Sequence, residues 1–132
     1  MLYKIKLMKN LLVIAVFTLL ITSCKKDHPA STTTSPFFGN WTGDYIGTSD
    51  EGTIVMSIST TGSITGTISS QSTGATYGLN GAVSSTGQLQ ASTGSGTGAT
   101  FTGTLSGDSG NGSWQSNGVP PSGTGTWGCT KQ

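Results

Sequence analysis

From Trp41 to Cys129, apolar residues alternate with Ser, Thr and Gly along the chain. A period of two places successive side chains on opposite faces of a strand, so this pattern predicts strands with one buried face. Eight such runs follow one another. Trp41, Gly43, Tyr45 and Gly47 share a face of the first; Ile54, Met56 and Ile58 of the second; Ile64, Gly66 and Ile68 of the third; Tyr77, Leu79, Gly81 and Val83 of the fourth. Leu89 and Ala91 mark a fifth, Ala99, Phe101, Gly103 and Leu105 a sixth, Gly112 and Trp114 a short seventh, and Gly125, Trp127 and Cys129 the last. The opposite face is small and polar, with Thr42, Thr65, Thr67, Asn80, Thr100, Thr102, Thr104, Gln115, Thr124 and Thr126; Ile46 and Val55 interrupt it.

Every gap between the runs holds turn residues: Asp50-Glu51-Gly52, Thr61-Gly62-Ser63, Ser72-Thr73-Gly74, Ser85-Thr86-Gly87, Ser95-Gly96-Thr97-Gly98, the stretch Gly107 to Gly112, then Asn117-Gly118 and Pro120-Pro121. Glycine supplies positive φ there, while Asn, Asp and Ser bond locally to the backbone. Gaps this short favour antiparallel neighbours, because a parallel crossover needs a dozen or more residues. No window shows helical apolar spacing. The expected class is therefore all-β, an antiparallel meander of about eight short strands over residues 37–132. Closure into a small barrel would remove both sheet edges; a two-sheet β-sandwich would give the same alternation.

Glycines on the inward face are the oddity. Each costs about 0.5–1 kcal/mol relative to Ala in a strand interior, so Gly43, Gly66, Gly81, Gly103 and Gly125 need a compensating role. The structural expectation is that the rings of Trp41, Tyr45, Phe101, Trp114 and Trp127 lie over them and that they let strands bend. The functional alternative is a hollow for a ligand between aromatic walls.

The pattern changes before Phe37. Lys4, Lys6 and Lys9 precede the eleven-residue run Leu11 to Ile21, in which Thr18 alone is polar. That fits the ~7–15-residue apolar core of an export signal and falls short of the ~20 residues of a spanning helix. Met8 would serve equally well as a start. Ile21-Thr22-Ser23-Cys24 follows directly. These residues resemble the lipobox of bacterial lipoproteins. The resemblance implies that residues 1–23 are removed, that Cys24 carries diacylglycerol, and that its new amino group is acylated with a fatty acid such as palmitate. Residues 24–36 then form a lipidated Cys and a Ser/Thr/Pro tether, too polar to order itself. Lys25 after Cys24 resembles lipoproteins sorted to the outer membrane, and Lys25-Lys26-Asp27 resembles charged surface-export signals. Localisation in the cell envelope, at the outer membrane, is the expectation, with periplasmic and cell-surface orientations both open.

Removal of the signal reverses the charge. Residues 24–132 carry three lysines against five acids, a net −2, and residues 37–132 carry Lys131 alone against four acids, a net −3. The chain has no arginine. Without clustered Lys and Arg to neutralise phosphates, nucleic acid is excluded as a partner. Cys129 is left without a partner once Cys24 is lipidated, and reads as a small buried hydrophobe. His28, the lone histidine, sits in the tether without converging ligands, so no metal site is predicted. Asp50 and Glu51 are adjacent and point apart, which does not suit paired-carboxylate chemistry. With no histidine in the domain, no serine has an adjacent base. No enzyme activity and no cofactor are expected.

Gly39-Asn40-Trp41 at the start of the first strand, with the predicted meander, resembles the lipocalin family and the related avidin-like barrels. That resemblance implies a Trp41 that plugs one end and a small apolar or aromatic ligand held inside. The chain lacks the arginine, closing helix and disulfide of lipocalins. Two functions follow. One is a membrane-anchored envelope lipoprotein whose β-domain has a structural or interaction role toward a protein or glycan. The other is lipocalin-like binding of a small ligand, with Trp41, Tyr45, Phe101, Trp114 and Trp127 as its aromatic walls. A cavity above ~300 Å³ lined by those rings would favour the second, a filled interior the first.

Overall fold

A computed structural model of the chain describes residues 33–94, 98–118 and 122–132. The signal, Cys24, His28 and most of the tether lie outside the described residues, as do residues 95–97 and 119–121 of two predicted turns. Alternation becomes eight strands: β1 (Gly39–Gly47), β2 (Glu51–Ile58), β3 (Ser63–Ser70), β4 (Thr76–Val83), β5 (Gln88–Ser92), β6 (Ala99–Ser106), β7 (Ser109–Ser116) and β8 (Thr124–Lys131). They pair antiparallel in chain order and close into a barrel. The seam runs between the first and last strands, with Gly43 opposite Cys129, Tyr45 opposite Trp127 and Gly47 opposite Gly125. Closure satisfies the ladder groups that an open meander would leave along two edges, and it decides between the barrel and the sandwich.

The seventh strand is longer than its apolar pattern predicts. Ser109, Gly110 and Asn111, expected in a turn, belong to β7 and pair with Ser106, Leu105 and Thr104. Gly107 has φ +58° while Asp108 has no positive φ. That is the two-residue turn whose twist matches its strands, so the chain reverses over Gly107-Asp108 alone.

One end of the barrel is shut. The hairpins β2–β3 and β4–β5 are built alike: Gly62 N–H donates to Ser59 O and Gly87 N–H to Ser84 O, both at 3.0 Å. Each hairpin glycine then accepts from the following pair of strands, Gly62 O from Val83 N–H and Gly87 O from Leu105 N–H, both at 2.8 Å. Phe37 packs over Gly87, where an added Cβ would sit 3.2 Å from its ring. Trp41 lies inside this end, 0% exposed, and its Nε1–H donates to Phe37 O at 2.9 Å. The chain enters here, since Ser35 N–H donates to Thr60 O at 2.7 Å.

The waist is filled. Ile54, Met56, Leu79, Leu89, Ala91, Phe101 and Trp127 leave a void of only about 10 Å³ among them. Glycines make this fit possible. Gly103 faces Gly112 across β6–β7, and Gly47 faces Gly125 across the seam. Trp127 lies on the first pair and Trp114 on the second. With no Cβ beneath it, each ring reaches a strand carbonyl: Trp127 Nε1–H donates to Thr102 O at 3.0 Å and Trp114 Nε1–H to Ile46 O at 3.2 Å. At Gly43, Gly66 and Gly81 the nearest atoms to an added Cβ belong to the adjacent strand, its carbonyl, Cα and Cβ. Two of the five predicted glycines thus seat rings, and three permit close strand approach.

Cys129 is buried and free, and burial pushes its thiol up to about 11. A thiol so protonated and covered is a poor nucleophile. In the folded chain it should resist a maleimide reagent at pH 8 and react fully once denaturant is added. Unfolding midpoints with and without reductant should coincide. Rapid native labelling would show that the β7–β8 ladder opens around it.

Candidate functional site

Among the described residues, the end opposite Trp41 is open. Here β1 ends at Gly47, β3 at Ser70, β5 at Ser92 and β7 at Ser116. A cup of about 280 Å³ occupies this mouth. Its floor is the aromatic trio Tyr45, Phe101 and Trp114, all buried. Tyr45 stands edge-on to both neighbours, with ring centroids 5.9 Å from Phe101 and 5.5 Å from Trp114, while Phe101 and Trp114 stack at 6.2 Å. Such geometries suit the quadrupoles of the rings. Tyr77 forms a wall and is 42% exposed, because the mouth leaves its inward position uncovered. Ser49, Ser72, Thr73 and Ser116 line the remainder.

One carboxylate organises the rim. Asp50 Oδ2 accepts from Tyr45 O–H at 2.7 Å. Its Oδ1 accepts from Ser70 O–H at 2.8 Å, from Glu51 N–H at 2.9 Å and from Ser72 N–H at 3.3 Å. Ser70 is buried and in turn accepts from Thr73 O–H at 2.9 Å, which ties the β3–β4 loop to the same network. Burial alone would raise the Asp50 carboxyl, but the bonds from Tyr45, Ser70 and Ser72 outweigh it and hold the group below its ordinary range. Burial, reinforced by the bond to Asp50, pushes the Tyr45 phenol well above its ordinary value. The mouth therefore keeps a neutral phenol beside an ionised carboxylate. Glu51 points to the outer surface, where it lines a separate groove with Asp44 and Gln71.

The five aromatic residues singled out in the sequence do not form one site. Tyr45, Phe101 and Trp114 meet at the mouth, Trp127 packs in the waist, and Trp41 shuts the other end. Cys24 lies outside the described residues. Sequence reasoning missed Asp50 and Ser70 as partners of Tyr45. Ser70 could have been found, because it continues the inward positions Ile64, Gly66 and Ile68 of β3. Asp50 lies in a loop, where alternation carries no information. Among the described residues, no three His, Cys, Asp or Glu side chains converge as metal ligands. The barrel stands without a matched relative: no family model, no curated protein and no solved structure matches the chain.

Proposed function

We propose that this chain is a lipoprotein of the cell envelope, held at the outer membrane by lipid on Cys24, whose barrel is displayed in a structural or interaction role. The filled waist carries this reading over a lipocalin-like apolar guest, since a void of about 10 Å³ admits no ligand. The exterior of small hydroxyl side chains suits contact with a protein or a glycan. A small ligand at the mouth is the second reading, favoured by the cup of about 280 Å³.

The anchor is tested by Cys24→Ala. Cells fed a radioactive fatty acid should label the wild-type chain and leave the variant unlabelled, and the variant should move from the membrane to the soluble fraction. Equal label in both would remove the lipoprotein reading. Protease added to intact cells then separates the orientations: digestion without lysis means the cell surface, and protection until lysis means the periplasm.

A further inference from the structure

The mouth cup combines features that the display reading does not use, and its chemistry is independent of how the chain is anchored. Its aromatic floor is Tyr45, Phe101 and Trp114, with Tyr77 as an exposed wall. Its fixed charge is the Asp50 carboxylate. Every hydrogen-bond donor found on that carboxylate is neutral: a phenol, a serine hydroxyl and two backbone N–H groups. Among the described residues Oδ2 accepts a single bond, whereas a carboxylate oxygen can accept about two. Among the described residues, no cation lies at the mouth. Lys131, the sole lysine of residues 33–132, lies at the shut end, with Cε 3.0 Å from where a Gly39 Cβ would stand.

Each class of ligand can be weighed against this inventory. An anion would meet Asp50 with no cation to offset it. A purely apolar guest would strip water from an ionised carboxylate without replacing it. A metal ion would find one carboxylate where hard cations take six to eight oxygens. An organic ammonium ion fits both halves of the site: its charge pairs with Asp50, and its alkyl groups lie on the aromatic rings, which attract cations through their quadrupoles. The volume is at the small end of ligand pockets, which limits the guest to a few heavy atoms.

We propose that the barrel mouth binds a small organic ammonium ion, with Asp50 as counter-ion and Tyr45, Tyr77, Phe101 and Trp114 as its aromatic enclosure. The ammonium group could belong to a free amine or to a lipid headgroup, and the two differ by a phosphate that the negatively charged mouth would repel.

The test uses the full chain in a non-ionic detergent, with calorimetry and the fluorescence of the tryptophans as readouts. Tetramethylammonium and choline should bind saturably in the millimolar range or tighter and should perturb the indole emission. Glycerophosphocholine is the second arm: weaker binding than choline assigns a free amine, and equal or tighter binding assigns a headgroup. Asp50→Asn should weaken choline by roughly tenfold or more, the loss expected when a hydrogen bond or contact to a charged group becomes neutral. Tyr77→Ala, at an exposed position outside the core, should weaken choline several-fold while leaving the unfolding midpoint within error, so the proposal does not hinge on the stability of the Asp50 variant. No saturation by either ammonium ion at tens of millimolar would overturn it. So would unchanged choline affinity in a folded Asp50→Asn variant, or saturable binding of glucose with none of choline, which would make the cup a sugar site.

Discussion

Trp41→Ala should lower the stability of the barrel by about 3–5 kcal/mol. The ring is 0% exposed, its Nε1–H is spent on Phe37 O at 2.9 Å, and it is among the largest fully buried side chains, together with Ile58, Ile64 and Leu105. Truncation would leave a void at the shut end and orphan a buried carbonyl. A domain of this size has a total stability of roughly 5–15 kcal/mol, so the variant should lie close to the edge of unfolding. Thr102→Ala on the outer surface is the control, with a change within about 0.5 kcal/mol. Urea melts of the two variants decide the matter. A Trp41→Ala midpoint equal to wild type would mean that Trp41 does not support the core, despite its burial. Choline affinity in Trp41→Ala, measured at low denaturant, should be unchanged, because Trp41 and the cup occupy opposite ends.

Gly125→Val should prevent closure of the barrel. A Cβ at Gly125 would strike Ile46 O and stand 2.5 Å from both Gly47 Cα and Trp114 Nε1. Neither of the first two can yield, since both belong to the backbone of β1 at the seam. Overpacking a core costs about 1–3 kcal/mol when side chains can adjust; here the strands themselves must part. The expected outcome is loss of cooperative unfolding and exposure of the β1 and β8 edges, seen as aggregation. Gly128→Ala gives the contrast on the same strand, because its nearest neighbour would be Gly110 O at 3.8 Å, an ordinary contact. That variant should match or slightly exceed wild-type stability, since Ala is less costly than Gly within a strand. If Gly125→Val melted cooperatively at the wild-type midpoint, the β1–β8 pairing would be wrong.

The sequence by itself determined the strands and their inward faces. Alternation is a local property: with a period of two, one misplaced residue moves every side chain to the wrong face. Glycine and serine turns marked most strand ends; exceptions include β2, which takes in Glu51 and Gly52 of a predicted turn, and β7, where a single positive-φ glycine shortened the turn below what composition suggests. The Gly-x-Trp text shared by Gly39–Gly43 and Gly125–Cys129 also suggests that the first and last strands could pair, and β1 does pair with β8. What the sequence left open was how far apart the faces stand once the sheet closes. Whether Tyr45, Phe101 and Trp114 walled a hollow or filled one depended on which strands curve toward each other. Only the tertiary structure decided that Trp127 seats on Gly103 and Gly112 to fill the waist, while the rings nearer the β1–β2 loop stay beneath an open mouth. Asp50 shows the same limit most clearly. Its role depends on Tyr45 of β1 and on Ser70 and Ser72 at and just beyond the end of β3, and no periodicity along one strand records a meeting between separate segments.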